Sequence, residues 1–219
     1  DSRKLANILF VAYRPGLPEL ADLVTKNKAI RRPRAGCCIG FHFLNIIKPN
    51  LEPIDLDKES GFYSIGSAPW GGLMIPRQAL PKLGLPRQDF FLYAEDYELT
   101  ARFTWNGGKI VLVPSAIIED VDTAWNAVGG DISGLERRML HLPDTKVFHE
   151  VRNRNFMARK YYRGFLPFYL VNKYLYLISA YAFGLFHGKL LRAKLIHLAI
   201  NEGEKMAKAD ESTQVSQTK

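Results

Sequence analysis

Apolar positions fall into short runs in the first half of the chain and into long ones in the second. Ile8-Leu9-Phe10-Val11-Ala12 is continuous and rich in β-formers, and Tyr13-Arg14-Pro15-Gly16 ends it, which predicts a buried strand and a turn. Leu17 to Val24 predicts a short helix, Cys37 to Phe43 a strand, and the polar, turn-rich stretch Lys48 to Gly61 a loop. Tyr63-Ser64-Ile65-Gly66 runs into Ala68-Pro69-Trp70-Gly71-Gly72-Leu73-Met74-Ile75-Pro76, a strand interrupted by a glycine pair. Gln78 to Leu83 predicts a short helix closed by Gly84 and Pro86, and Asp89 to Tyr93 a brief extended segment. From Asp96 to Trp105 the pattern is helical: Leu99 and Phe103 lie one turn apart, Glu98 and Arg102 form an i,i+4 pair, and Gly107-Gly108 ends the run. Lys109 to Val113 then predicts a strand stopped by Pro114, with Ala116 to Ile118 as another.

Beyond a polar loop with Gly129, Gly130 and Asp131 the character changes. Asp144 to Arg163 predicts a helix, Gly164 to Phe186 is apolar and aromatic, Lys189 to Ala209 predicts a basic helix, and residues 211–219 form a polar, disordered tail. No internal repeat is visible. The pattern predicts an α/β domain with a mixed sheet over residues 1–121, followed by a C-terminal α-helical region over 122–210.

Composition narrows the classes. With 219 residues, 47% hydrophobic and 24% charged, the chain reads as globular, which excludes a disordered chain, a collagen-like one and a disulfide scaffold. The two cysteines, Cys37 and Cys38, are adjacent, so they suit neither a bridge nor a zinc site, and a reducing compartment follows. The start DSRKLANILF lacks the pattern of a signal peptide, and a chain opening on Asp1 suggests a processed or truncated product. Lys and Arg number 30 against 22 Asp and Glu, a net charge of +8, which favours anionic partners. Lys28 to Arg34 has no interleaved aromatics, so nucleic acid is not expected. The five histidines show no metal spacing.

The sharpest candidate chemistry is Glu95-Asp96-Tyr97-Glu98, three carboxylates at the entrance of a helix. An N-cap followed by acids in the first turn explains such a cluster on structural grounds alone. The neighbourhood adds a second reading: an aromatic run precedes the acids, and 25 residues upstream lies Trp70-Gly71-Gly72. Glycines permit close backbone approach, and an indole offers a stacking face for a sugar ring.

Taken together, Trp70 to Pro76, Leu83-Gly84-Leu85-Pro86, Asp89-Phe90-Phe91, Glu95 to Arg102 and Gly107 to Pro114 resemble the acceptor half of family 2 glycosyltransferases, and most closely the rhamnosyl- and galactofuranosyltransferase branch. The segment from Arg152-Asn153-Arg154-Asn155 through Lys160-Tyr161-Tyr162 resembles the C-terminal part of that branch. The resemblance implies a partial GT-A (Rossmann-like) domain and an inverting transfer of a sugar, rhamnose or galactofuranose, from a UDP- or dTDP-sugar to a glycan or lipid-linked acceptor of cell-surface polysaccharide. It implies that Asp96 is the general base with Glu95 and Glu98 tuning it, that Trp70, Gly71 and Gly72 bind the acceptor, and that Arg152 and Arg154 bind the donor. Where such proteins carry a metal-binding histidine, this chain has Asp120, preceded by Glu119, a possible ligand for Mg²⁺ or Mn²⁺. No DxD motif stands at the family's distance before Trp70; Asp55-Leu56-Asp57 reads as a solvated loop. The nucleotide half is therefore expected to be deleted or cut away, and the alternative function is a non-catalytic remnant that binds a glycan, a membrane or a partner.

The apolar stretch Gly164 to Phe186 is about 34 Å long as a helix, long enough for a crossing. Pro167, Asn172 and Lys173 argue against one, and tyrosines with flanking cations suit an interface. The expectation is a peripheral, in-plane helical platform on the cytoplasmic face of the cell membrane, held by anionic lipid.

Overall fold

The computed structural model describes residues 2–119, 121 and 134–217. The polar loop around Gly129 and the metal candidate Asp120 lie outside the described residues. The chain divides into two compact units, each drawn from separate stretches: Asp1–Arg31, Leu51–Asp89 and Glu95–Ala127 make the first, and Arg32–Asn50, Phe90–Ala94 and Val128–Lys219 the second.

The first unit is the α/β one. It holds α1 (Ser2–Leu5), β1 (Ile8–Tyr13), α2 (Pro18–Lys26), β2 (Asp55–Asp57), β3 (Phe62–Ile65), β4 (Leu73–Met74), α3 (Leu80–Leu83), α4 (Glu95–Trp105) and β5 (Lys109–Ile117). The five strands form one mixed sheet in the order β2-β3-β5-β1-β4. Only β1 and β5 run parallel, in register from Ile8↔Lys109 to Ala12↔Val113. Both are the continuous apolar runs of the sequence, as a strand flanked on both sides requires. Leu9, Val11, Ile110 and Leu112 are buried and pack with Leu20 and Leu23 of α2 and with Leu99 and Phe103 of α4. The helix and sheet assignments here follow the hydrophobic pattern, with three corrections. β2 lies inside the stretch predicted as a loop, and the strand predicted from Tyr63 to Pro76 is two short strands, β3 beside β5 and β4 beside β1. β5 does not stop at Pro114. Its pairing with β1 skips from Ala12↔Val113 to Tyr13↔Ile117, so the proline falls in the unmatched stretch, where its missing N–H takes nothing from the ladder.

The second unit is helical: α5 (Gly134–Glu136) leads into a single π-type turn (Arg137–His141), then α6 (Asp144–Tyr161), α7 (Leu166–Phe186) and α8 (Leu190–Gln217). Here too belongs Cys37–Phe43, where the sequence predicts a strand. Instead, Cys38 and Phe41 face each other as an isolated bridge across a turn with positive φ at Ile39 and Gly40. Cys38 and Ile39 bury among Val151, Ile196 and Ile200 of the helices. The buried amide of Asn172 holds the segment, donating to the Gly36 carbonyl (2.9 Å) and accepting from Phe43 N–H (2.8 Å). The partition of the chain is thus discontinuous and not the single boundary at 121/122 that the pattern suggests. α8 also continues to Gln217, helical across most of the stretch predicted as a disordered tail, and Arg163 pairs with its Glu211 at 3.1 Å.

α6 and α8 cross closely at Gly203. A Cβ there would stand 2.4 Å from the Arg152 carbonyl oxygen and 3.1 Å from the Phe156 nitrogen, both backbone atoms that cannot swing aside. Gly203→Ala gains up to about 1 kcal/mol of helix propensity. It loses about 1–3 kcal/mol to overpacking, so the expected result is a lower urea midpoint. An unchanged or higher midpoint would show that the crossing gives way freely.

Candidate functional site

The site grows from one helix laid beside one loop. Along α4, Asp96, Thr100 and Thr104 recur every four residues on a single face, and along the chain entering β4, Gly66, Ala68 and Trp70 recur every two. They meet rung by rung. Thr104 Oγ1 donates to the Gly66 carbonyl (2.8 Å), Thr100 Oγ1 accepts from Ala68 N–H (3.0 Å), and Asp96 Oδ2 accepts from Trp70 N–H (3.4 Å). The match is geometric: four helical residues rise about 6 Å and two extended residues about 6.6 Å, so helix and loop stay in step. The ladder puts the carboxylate of Asp96 against the backbone of Trp70.

The glycine pair follows. Gly72 has φ of +80°, and a Cβ on it would meet Ile118 Cδ1 at 2.5 Å and Ala12 Cβ at 3.0 Å. Ala12 N–H donates to its carbonyl at 3.0 Å. The Trp-Gly-Gly loop therefore closes over the carboxyl ends of the two parallel strands, where ligands of open α/β sheets bind. Gly71 leaves room for a cation: a Cβ there would come within 2.6 Å of Arg14 Nη1. Trp70 keeps a partly exposed indole, 39% accessible.

The three acids of α4 part company. Asp96 is held above the ordinary aspartate range, chiefly by burial and further by the charge of Glu95, against hydrogen bonds from the backbone of Tyr97 and Trp70. A carboxylate so placed is a more willing proton acceptor than a solvated one. Glu95 sits at the head of the helix, and its Oε2 is buried with no hydrogen-bond partner among the described residues. Glu98 goes inward: it is fully buried and takes the Arg102 guanidinium at 3.2 Å, while that arginine also donates to the Leu85 carbonyl at 2.8 Å. Glu98 therefore braces α4 against the preceding loop.

Ahead of Glu95 the backbone is unusual. Tyr93 and Ala94, neither of them glycine, have φ of +66° and +67°. Successive left-handed residues cost about 1–3 kcal/mol each and persist only where the surroundings hold them. The clamp is Asn153, fully buried on α6, whose amide donates to the carbonyls of Leu92 (2.9 Å) and Tyr93 (2.7 Å). Where the sequence predicts a plain extended segment at 89–93, the chain makes a clamped kink one residue before the acid cluster.

The remaining candidates are occupied otherwise. Arg152 donates to Asn153 Oδ1 (2.9 Å) and stacks on Phe148, and Arg154 pairs with Glu150 at 3.2 Å, all within the helical unit. Asp55 and Asp57 sit on the exposed edge strand β2. Asp57 accepts from Glu59 N–H and Ser60 Oγ, and Asp55 lies 3.7 Å from Lys109. Among the described residues no group of three or more His, Cys, Asp or Glu is placed to hold a metal ion. Glu119 is exposed. Arg14, Thr100 and Thr104 escaped the sequence reading; the four-residue spacing Asp96, Thr100, Thr104 was the available signal. Compared with protein-family models, with curated proteins and with solved structures, the chain matches none.

Proposed function

We propose that this chain carries the acceptor side of an inverting glycosyltransferase of the GT-A kind, transferring a sugar from a UDP- or dTDP-sugar to a hydroxyl of a glycan or lipid-linked acceptor. The observation behind this reading is a single one: a half-buried carboxylate held above the ordinary aspartate range, Asp96, hydrogen-bonded to the backbone N–H of Trp70 just ahead of the glycine pair Gly71-Gly72, at the carboxyl ends of parallel strands. The acceptor ring stacks on Trp70, and Gly72 lets it approach the backbone. Asp96 takes the proton of the attacking hydroxyl. The oxygen forms a bond to the anomeric carbon as the bond from that carbon to the diphosphate breaks, and the nucleoside diphosphate leaves with the electron pair. Glu95 keeps Asp96 basic through like charge.

The test is transfer itself. With the nucleotide half supplied in the same polypeptide, incubation with UDP- and dTDP-linked rhamnose and galactofuranose, Mn²⁺ and a polyprenyl-linked oligosaccharide should release nucleoside diphosphate in proportion to extended product. Retained glycan binding without any transfer would replace the enzyme by a non-catalytic binding module. Trp70→Ala should raise acceptor KM by about tenfold, the worth of one aromatic contact, and leave donor hydrolysis unchanged. Equal losses in both reactions would make Trp70 a packing residue.

A further inference from the structure

The strongly polar residues of α7 are turned inward. Its only charged residue, Lys173, points into the helical unit, where Nζ donates to Asn201 Oδ1 (2.9 Å) and to Glu204 Oε1 (2.8 Å). Asn172 and Tyr169 are also turned inward, Tyr169 donating to Glu204 at 2.5 Å. The opposite side carries Phe168, Val171, Leu175, Ile178, Leu185 and Phe186, all exposed. Ser179 on that side returns its hydroxyl to the Leu175 carbonyl. The inner side also holds Tyr176, Leu177 and Ala180, so α7 is apolar on both sides, whereas a helix facing water is polar on its outer one. From Phe168 to Phe186 the exposed apolar stripe runs about 27 Å along the helix, a continuous patch of the kind that marks a contact surface. An open apolar groove of 530 Å³ lies on the same side, between Tyr174, Ile178 and Leu185 of α7 and Leu190 and His197 of α8.

Charge identifies what covers this face. From Val151 to Asn201 the chain has nine Lys and Arg and no Asp or Glu. Five of the nine pair with acids outside that stretch: Arg154 with Glu150, Lys160 with Asp210, Arg163 with Glu211, Lys173 with Glu204 and Arg192 with Asp144. At the turn from α7 to α8, Lys189 and Lys194 are exposed beside Phe186 and Leu191, themselves 84% and 80% accessible. Neither lysine forms an ion pair among the described residues. A second copy of the chain would set one cationic rim against another, whereas a bilayer with anionic headgroups takes both the apolar stripe and the lysines. Among the described residues no helix is long and apolar enough to cross a membrane. We propose that the outer face of α7 and the α7–α8 turn lie in the plane of an anionic lipid bilayer, with the groove between them accepting an acyl chain. Lys173, which from sequence alone argues against a membrane crossing, is turned away from that face and paired with Glu204. The proposal stands apart from the glycosyltransferase reading and is tested without an activity assay.

The experiment is flotation of the full chain with vesicles of phosphatidylcholine alone and of phosphatidylcholine with 30% phosphatidylglycerol, at 0.1 and 0.5 M NaCl. The expected result is binding to the anionic vesicles, weakened by salt, and little to the neutral ones. Ile178→Glu and Phe186→Glu change exposed side chains, and each should cut partitioning by about tenfold or more with an unchanged thermal transition. The pair Lys189→Glu and Lys194→Glu should cut it on anionic vesicles to a similar degree. Three results would overturn the proposal: no binding to anionic vesicles, equal binding to both lipids, or a dimer by light scattering that Ile178→Glu dissociates. The last would make a second copy the cover.

Discussion

In a polypeptide that also carries the nucleotide half, Asp96→Asn should lower sugar transfer by about 10²-fold or more in kcat and leave donor affinity nearly unchanged. Asp96 accepts from Trp70 N–H on one oxygen and from Tyr97 N–H on the other, and asparagine keeps one of these two bonds. The rungs at Thr100 and Thr104 are untouched, so most of the ladder survives while the base is lost. The pH profile gives an independent readout. The active form is the carboxylate, so the wild-type rate falls as pH drops through the folded pKa of Asp96, and burial moves that limb above the ordinary 3.8. Stability should move the other way. A carboxyl whose folded pKa is raised contributes stability below its unfolded pKa and loses it as pH rises through the folded one. At pH 7 the wild type therefore carries a half-buried charge at a cost, and Asp96→Asn removes that cost while losing one backbone hydrogen bond, so it should stay within about 1 kcal/mol of the wild type in urea. A variant that is destabilised and still turns over would make Asp96 a helix cap and nothing more.

What was legible in the sequence follows from where a single physical cause dominates. The strands β1 and β5 were readable because interior strands of this sheet carry unbroken apolar runs, and α4 because its apolar spacing, its Glu98–Arg102 pair and its glycine stop agree. The through-running of Pro114 was not readable, since a bulge depends on the register of the partner strand. Nor was the split of the chain into units, because Gly36 and Phe43 are tied to Asn172 by hydrogen bonds across more than a hundred residues. In Arg152-Asn153-Arg154-Asn155 the cations drew attention, yet the asparagines make the buried connections: Asn153 to the kink at Leu92 and Tyr93, Asn155 to the Ile200 carbonyl at 2.8 Å. Lys173, a charge within an apolar run, argues against a crossing from sequence alone, and the fold adds that it is turned inward on Glu204. Of the candidate site, the sequence marked Trp70 and Asp96 separately. Their meeting depends on Thr100 and Thr104, two residues whose chemistry draws no notice without the loop beside them.

The helical unit has its own critical carboxylate. Glu150 Oε1 receives Arg137 at 2.8 Å, Arg138 at 3.2 Å and Arg154 at 3.2 Å, and Arg138 reaches on to Tyr176 Oη at 3.4 Å. Glu150 and Arg138 are both buried. Burial would push the Glu150 carboxyl up, but Arg138, Arg154 and Arg137 together bring it below its ordinary value. Removing the carboxylate leaves the Arg138 guanidinium buried and uncompensated, so Glu150→Ala should cost about 3–5 kcal/mol. Glu150→Gln, which keeps the shape and an acceptor, separates charge from packing and should still lose most of that. The pH dependence carries the sign of a depressed carboxyl. Its stabilisation is complete above the unfolded value of 4.5 and is lost as pH falls through the lower folded one, and Glu150→Gln should flatten that part of the wild-type acid limb. Urea unfolding of both variants between pH 3 and 7 measures it. If Glu150→Gln falls within about 1 kcal/mol of the wild type at pH 7, the arginines find solvent or other acceptors and the ion cluster does not hold α6 to its neighbours.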